Sequence, residues 1–200
     1  MFGLAFFLGV ALMAALARLD PPGNSTPDEI LQLHECIKLR FLDTRSFGMR
    51  RILPQQFHGI HDFRAENPVE QHVLDKLRQR GYDVALYMAG LKILEASPVL
   101  NGRRYSVQGP AFMTPWRQDE FPEPKTLLDD SRRALIDFET AAGYEIQKPG
   151  WKVAMRPMLA TTERCVGCHK SGDTNSALKI GNPIGVAMYV YRMRSATPSK

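Results

Sequence analysis

The stretch Cys165-Val166-Gly167-Cys168-His169 is followed shortly by an apolar segment, residues 184–192. Two thiols separated by two residues and followed by histidine have the spacing of covalent haem attachment. Each thiol forms a thioether with one vinyl group of the porphyrin, and the adjacent imidazole supplies an axial ligand to the iron. In segment 184–192 large apolar side chains occupy every second position, which predicts a β-strand. A haem motif that lies just before the last strand limits the classes of fold that the chain can adopt.

Two other interpretations of the motif are weaker. A structural zinc site usually needs a second pair of ligands, and the chain contains no other C-x-x-C or H-x3-H pair. A redox-active dithiol would lie at a strand-to-helix turn of a βαβ unit, usually without the trailing histidine. The sequence therefore predicts one covalent haem c, attached through Cys165 and Cys168, with His169 as the iron ligand.

The first 17 residues are uncharged and mostly apolar. Their length is typical of a signal peptide, and Ala15-Leu16-Ala17 fits the small-x-small cleavage pattern, which leaves Arg18 as the first mature residue. The alternative is an uncleaved N-terminal anchor. Both place the remaining chain outside the cytoplasm, in the periplasm or an equivalent compartment, where haem c is attached.

The composition, with 44% hydrophobic and 24% charged residues, is that of an ordinary globular protein. We expect a linker at 18–27, a single haem-binding domain at 28–194 and a polar tail at 195–200. The net charge of +5 suits an acidic redox partner. Basic runs no longer than two residues argue against nucleic acid, and membrane contact is expected only if the N-terminal segment is uncleaved.

Three helices are predicted. Thr26-Pro27-Asp28-Glu29 begins the first, with Glu29 closing a capping box, and the helix continues to about residue 42. Its expected core face is Ile30, Leu33, Ile37 and Phe41. Asn67 begins the second, which ends at Gly81 and has Val69, Val73 and Leu77 as its apolar stripe. The third spans 126–142 and ends at Gly143.

The strand predictions are less regular. Segment 84–96 is mostly apolar and is expected to form either a pair of strands or a short helix followed by a strand, with 91–94 as its most strand-like part. Asn101-Gly102 is a hairpin signal. Residues 104–108 alternate as a strand, and the proline-rich segment 109–124 is expected to be a loop. Segment 151–159 is predicted to be a strand with Trp151, Val153 and Met155 on one side.

The late position of the motif excludes two common cytochrome classes. Small class I cytochromes c carry the motif near the start of the domain, and four-helix class II cytochromes carry it on the final helix. The residues after His169 are too few to enclose a porphyrin, and they end in a predicted strand. The residues before the motif must therefore form the pocket.

The last third of the chain resembles bacterial single-haem c-type domains with a PAS-like fold. The resemblance is carried by the helix-like segment ending near Phe138, Arg156-Pro157 within 151–159, the haem motif, and Gly181-Asn182-Pro183-Ile184-Gly185-Val186. It implies an α+β fold in which a central antiparallel sheet is flanked by helices, with haem at one face and attached just before the last strand. Some members use a cysteine of the N-terminal helical region as second axial ligand, which makes Cys36 a candidate.

The residues themselves leave the second axial ligand open. Besides Cys36, the candidates are His34, His58, His61, His72 and the methionines 88, 113, 155, 158 and 188, and the position can also be open. A thiolate lowers the reduction potential, methionine raises it, and an open site admits a small gas.

These observations predict an exported monohaem c-type cytochrome with an electron-transfer function. The alternative is a haem-based redox or gas sensor that acts through a partner protein. An enzyme such as a peroxidase is disfavoured, because the sequence has no recognisable distal acid–base set.

Overall fold

The structure, a computed structural model, describes residues 26–42, 61–91, 99–100, 103–114, 121–138, 141–170 and 178–194. The predicted signal peptide, most of the linker and the polar tail lie outside these residues. The helices are α1 (Asp28–Leu42), α2 (Pro68–Gln79), α3 (Leu128–Asp137) and α4 (Glu163–Lys170), with a 3-10 turn (Pro124–Leu127) before α3. The strands are β1 (His61–Asp62), β2 (Tyr82–Leu91), β3 (Val99–Leu100), β4 (Arg103–Phe112), β5 (Tyr144–Lys148), β6 (Trp151–Leu159) and β7 (Pro183–Met193).

Five long strands form an antiparallel sheet in the order β4-β2-β7-β6-β5. Numbered among themselves along the chain, they lie in the order 2-1-5-4-3. The short β1 pairs in parallel with β4 at the edge, and β3 pairs with β4. The predicted α+β class with an antiparallel sheet flanked by helices is confirmed, and the arrangement is compatible with a PAS-like fold.

The sheet separates two hydrophobic cores. One core contains Leu86 and Tyr189 of the central strands and buried side chains of α1, α2 and α4; we call this side the α4 face. The other contains Tyr87 and Met188, together with Ala134 of α3; we call it the α3 face. Because β2 and β7 are covered on both sides, their side chains are buried at nearly every position.

Helix α1 has the predicted core face, since Ile30, Leu33, Ile37 and Phe41 are all buried. The predicted capping box is wrong. The carboxylate of Glu29 pairs with the Arg80 guanidinium, 2.5 Å away, and the Thr26 hydroxyl donates to Glu145. Thr26 and Glu29, which the local spacing predicted to cap the helix together, therefore bind residues that are distant in sequence.

Helix α2 begins at the predicted cap, where the Asn67 side chain accepts a hydrogen bond from the backbone N–H of Glu70 at 2.9 Å. Gly81 follows the helix with a φ of +75°, a left-handed conformation that glycine adopts without strain. Placing Val69 in the apolar stripe is wrong, since its side chain is 64% exposed. Glu70 is buried instead, because Arg40 neutralises its charge.

The region of the first predicted hairpin agrees with the prediction only in part. Strand β2 begins directly after Gly81, and of the expected strand 91–94 only Leu91 lies in the described residues. Leu100 pairs with Arg103 across a two-residue connection, as the hairpin signal predicts, although Asn101 and Gly102 themselves are not described.

Strand β4 continues to Phe112 through the segment predicted to be a loop. Two residues, Gly109 and Pro110, lie opposite the single residue Tyr87 and form a β-bulge. A bulge leaves one backbone group outside the ladder and so tolerates proline, and the φ of +126° at Gly109 requires glycine. Residues 115–120 of the predicted loop are not described.

The third helix is shorter than predicted. It ends at Asp137, and Ser131 and Ala134 are its buried side chains. Strand β5 was not predicted. It pairs with β6 in a hairpin whose turn, Pro149-Gly150, has a φ of +73° at the glycine. The buried side of β6 carries Trp151, Val153 and Met155, as expected.

Substitution of Gly185 by alanine is expected to destabilise the domain by about 1–3 kcal/mol. A Cβ at this position would lie 2.7 Å from the carbonyl oxygen of Ala89, so the central strands β2 and β7 must separate to admit it. Urea unfolding measures the loss. Gly167→Ala is the matched control, since no described residue outside its own helix turn lies within 4 Å of its Cβ position. Equal stability of both variants would contradict the close approach of the strands.

Candidate haem-attachment site

The haem motif lies on α4, a regular helix of eight residues between β6 and β7. Cys165, Cys168 and His169 occupy positions i, i+3 and i+4 of this helix. Residues with this spacing share one helix face, so the helix backbone places these three positions on the same side. The side chain of Cys168 is outside the described part of the structure.

Local hydrogen bonds fix where α4 begins. The Thr162 hydroxyl accepts a hydrogen bond from the backbone N–H of Cys165 at 3.3 Å, and the Thr162 carbonyl accepts from Val166 at 3.2 Å. Just before this cap, Ala160 donates to Asn182 at 2.9 Å and accepts from Gly181 at 2.7 Å. The start of α4 is therefore held against the segment that leads into β7.

The inner side of α4 packs on the core of the α4 face. Val166 is buried in that core, and the partly buried Cys165 packs against it. The Nδ1 atom of His169 is buried as well. An imidazole that binds iron usually does so through one nitrogen while its other nitrogen faces the protein. With Nδ1 buried, Nε2 is the candidate iron-binding atom.

The thiol of Cys165 is more acidic than an ordinary cysteine. Burial acts to raise its pKa, but hydrogen bonds from Thr162 and Thr161 outweigh burial and leave the pKa lowered. The Thr162 hydroxyl lies 3.2 Å from the sulfur. A lowered pKa favours the nucleophilic form of the thiol, which suits its addition to a vinyl group.

The sheet divides the methionine candidates into two groups. Met155 and Met188 belong to the core of the α3 face, so the sheet separates them from α4. Met88, Met113 and Met158 belong to the core of the α4 face, and all three are buried. Only this second group lies on the side of the sheet that carries the haem motif.

The histidine candidates lie in different environments. His34 is buried on α1, and its Nδ1 atom is 3.0 Å from the Tyr189 hydroxyl. His72 is exposed on α2, and its position favours a surface role. His61 lies in β1 with its side chain undescribed, and His58 is outside the described residues.

Cys36 is buried on α1, the helix whose apolar side packs on the α4 face. Burial raises the pKa of its thiol, and the Glu70 carboxylate raises it further, against the opposing effect of Arg40. The structure thus brings Cys36 and His34 to the same side of the sheet as α4. Their role as iron ligands stays a prediction.

Tyr189 and Arg156 both act on the candidate ligand His34, and no pattern in the sequence predicted either interaction. Tyr189 pairs with His34, and Arg156 forms an ion pair of 2.8 Å with Glu145 while its charge acts on both His34 and Tyr189. The alternation of 184–192 placed Tyr189 in a strand but gave no signal for a partner 155 residues away.

Lowering the pH from 6.5 to 4 is expected to reduce stability through His34. Burial, assisted by the charge of Lys38, lowers the pKa of His34 from 6.5 to about 4. In this range the unfolded chain binds a proton that the folded chain does not, so up to about 3 kcal/mol is lost as the pH falls. Urea unfolding across this range, compared with His34→Gln, isolates the effect. Parallel pH profiles of the two proteins would contradict a buried neutral imidazole.

Comparisons of the chain with family models, curated proteins and solved structures find no match. Among the described helices, none is long and apolar enough to cross a membrane. The described side chains contain no group of three or more His, Cys, Asp or Glu arranged to hold a metal ion.

The residues of α4 fit one covalently bound haem. The helix carries two cysteines and one histidine at positions that share one face, and Thr162 fixes its start. The Nδ1 atom of His169 is buried, so Nε2 is the candidate atom for iron. This set has the chemistry that c-type attachment requires, with no further metal-binding cluster needed.

Proposed function

We propose that this chain is an exported monohaem c-type cytochrome that transfers electrons through one haem c. The observation that carries the proposal is the placement of Cys165, Cys168 and His169 on one face of a single helix that packs against the sheet. Cys165 and Cys168 would form the thioethers, and His169 would be an axial ligand. When bound, the haem supplies a one-electron ferric/ferrous couple.

The protein's own contribution is a rigid mount for the iron ligand. The cap at Thr162 and the hydrogen bonds of Ala160 tie α4 to β6 and β7, two neighbouring interior strands of the sheet. A fixed axial imidazole moves little between oxidation states, which favours electron transfer. The net charge of +5 supports an acidic redox partner, and the apolar N-terminus supports a periplasmic location.

A haem-based redox or gas sensor is the second candidate, and the PAS-like order of the sheet is the observation that favours it. Carbon monoxide separates the two. A six-coordinate carrier should bind the gas slowly or incompletely after reduction, and should titrate reversibly as a one-electron couple. Rapid and complete binding of carbon monoxide would contradict the carrier and support the sensor.

We propose Cys36 as the second axial ligand, and electron paramagnetic resonance of the ferric protein tests this. The unmodified protein and His34→Gln are expected to give the signature of low-spin iron with thiolate and imidazole ligands, and Cys36→Ser is expected to lose it. His34 is the matched control, because it is buried on the same helix. A thiolate signature that survives in Cys36→Ser would exclude this ligand.

A further inference from the structure

The side of α1 that points away from the sheet carries exposed leucines. Leu31, Leu39 and Leu42 are 38%, 69% and 42% exposed, and Glu35 and Lys38 lie among them. We call these five residues the outer face of α1. Single exposed leucines are common on protein surfaces, but a group on one helix face indicates an interaction site.

Four residues of the outer face have coiled-coil spacing. Leu31, Glu35, Lys38 and Leu42 follow one another at intervals of four, three and four residues, which places them in one narrow stripe. The stripe is symmetric about its midpoint. The two leucines are equally far from the midpoint between residues 36 and 37, and the acidic and basic residues mirror each other inside them.

We propose that the outer face of α1 binds a second copy of this chain, with the two α1 helices antiparallel about a two-fold axis. Leu31 then meets the partner's Leu42, and Glu35 meets the partner's Lys38. Each contact occurs twice, as a two-fold interface requires. The stripe is therefore complementary to itself.

Charge selects the antiparallel arrangement. Within one chain the Lys38 ammonium lies 2.8 Å from the Glu35 carboxylate, and both side chains are substantially exposed. An antiparallel partner adds the opposite charge to each of them. A parallel partner would bring Glu35 against the partner's Glu35, which is repulsive.

The contact is small, so the dimer is weak. A pair of helices of 15 residues buries less than the roughly 1,200 Å² of a standard interface. The dimer should therefore form and dissociate with concentration in the micromolar-to-millimolar range. The proposal does not depend on haem, because no residue of α4 takes part in it.

Sedimentation velocity of the exported protein, up to about 1 mM, tests the dimer. Glu35→Lys and Lys38→Glu should each weaken dimerisation by about tenfold or more, and the double variant Glu35→Lys/Lys38→Glu should restore it. Leu31→Ser should also weaken it, whereas Ile136→Ser, an exposed apolar residue on α3, should not. Circular dichroism verifies that all variants fold.

Several results would overturn the proposal. A monomer at every concentration excludes a second copy, and a fall in melting temperature of monomeric Leu31→Ser would show instead that another segment of the chain covers this face. A dimer insensitive to both single charge changes uses another surface. Weakening by the single changes without recovery in the double variant excludes the antiparallel register.

Discussion

Replacement of Glu70 by alanine is expected to destabilise the domain by about 3–5 kcal/mol, the cost of leaving a buried charge without its partner. Glu70 is completely buried and accepts from the Arg40 Nε atom at 2.7 Å and from the backbone N–H of Glu66 at 2.7 Å. Arg40 also donates to the Arg64 carbonyl at 2.6 Å. Without Glu70, the buried Arg40 guanidinium has no fully buried carboxylate to balance its charge.

Two further variants distinguish two causes of the loss in stability: an unpaired buried charge, and the mere removal of a contact with Arg40. Glu66→Ala removes an exposed carboxylate 3.6 Å from the same guanidinium and should cost less than about 1 kcal/mol. The double variant Arg40→Met/Glu70→Leu should recover most of the loss, because it removes both charges. Urea unfolding measures all three. A loss below about 1 kcal/mol in Glu70→Ala would contradict a buried, mutually dependent pair.

Replacement of both Cys165 and Cys168 by alanine is expected to abolish covalent haem completely, because the two thioethers are the only covalent links that the motif provides. The measurement is the pyridine haemochrome of protein exported by cells with haem-maturation machinery, taken after acid–acetone extraction. Cys36→Ser is the control. It should keep the covalent haem even if Cys36 binds the iron, since an axial ligand forms no bond to the porphyrin edge. A double variant that retains the same metal centre would contradict the proposed site.

Features set by neighbouring residues were predictable from the sequence. The core face of α1, the Asn67 cap of α2 and the existence of strand β7 depend on short-range spacing, and the structure has all three. The spacing within the haem motif is local in the same sense, but the helix α4 that carries Cys165, Cys168 and His169 was not predicted.

Features set by distant partners were not predictable. Glu70 replaces Val69 in the core because Arg40, on another helix, neutralises it. Strand β4 passes through Pro110 because Tyr87 on β2 admits a bulge. In the same way, the contact between Tyr189 and His34 depends on the packing of α1 against the sheet. The second axial ligand was not predictable for the same reason, because candidate ligands on several elements lie at the same face of the sheet.

The most direct test of the central proposal is the intact mass of the denatured protein after export by cells that attach haem c. The proposal predicts one species heavier than the processed polypeptide by one haem, with the added mass located on the peptide that contains Cys165 and Cys168. A known c-type cytochrome produced in the same cells shows that attachment is active. The bare mass of the polypeptide, with the control cytochrome fully loaded, would contradict the proposal.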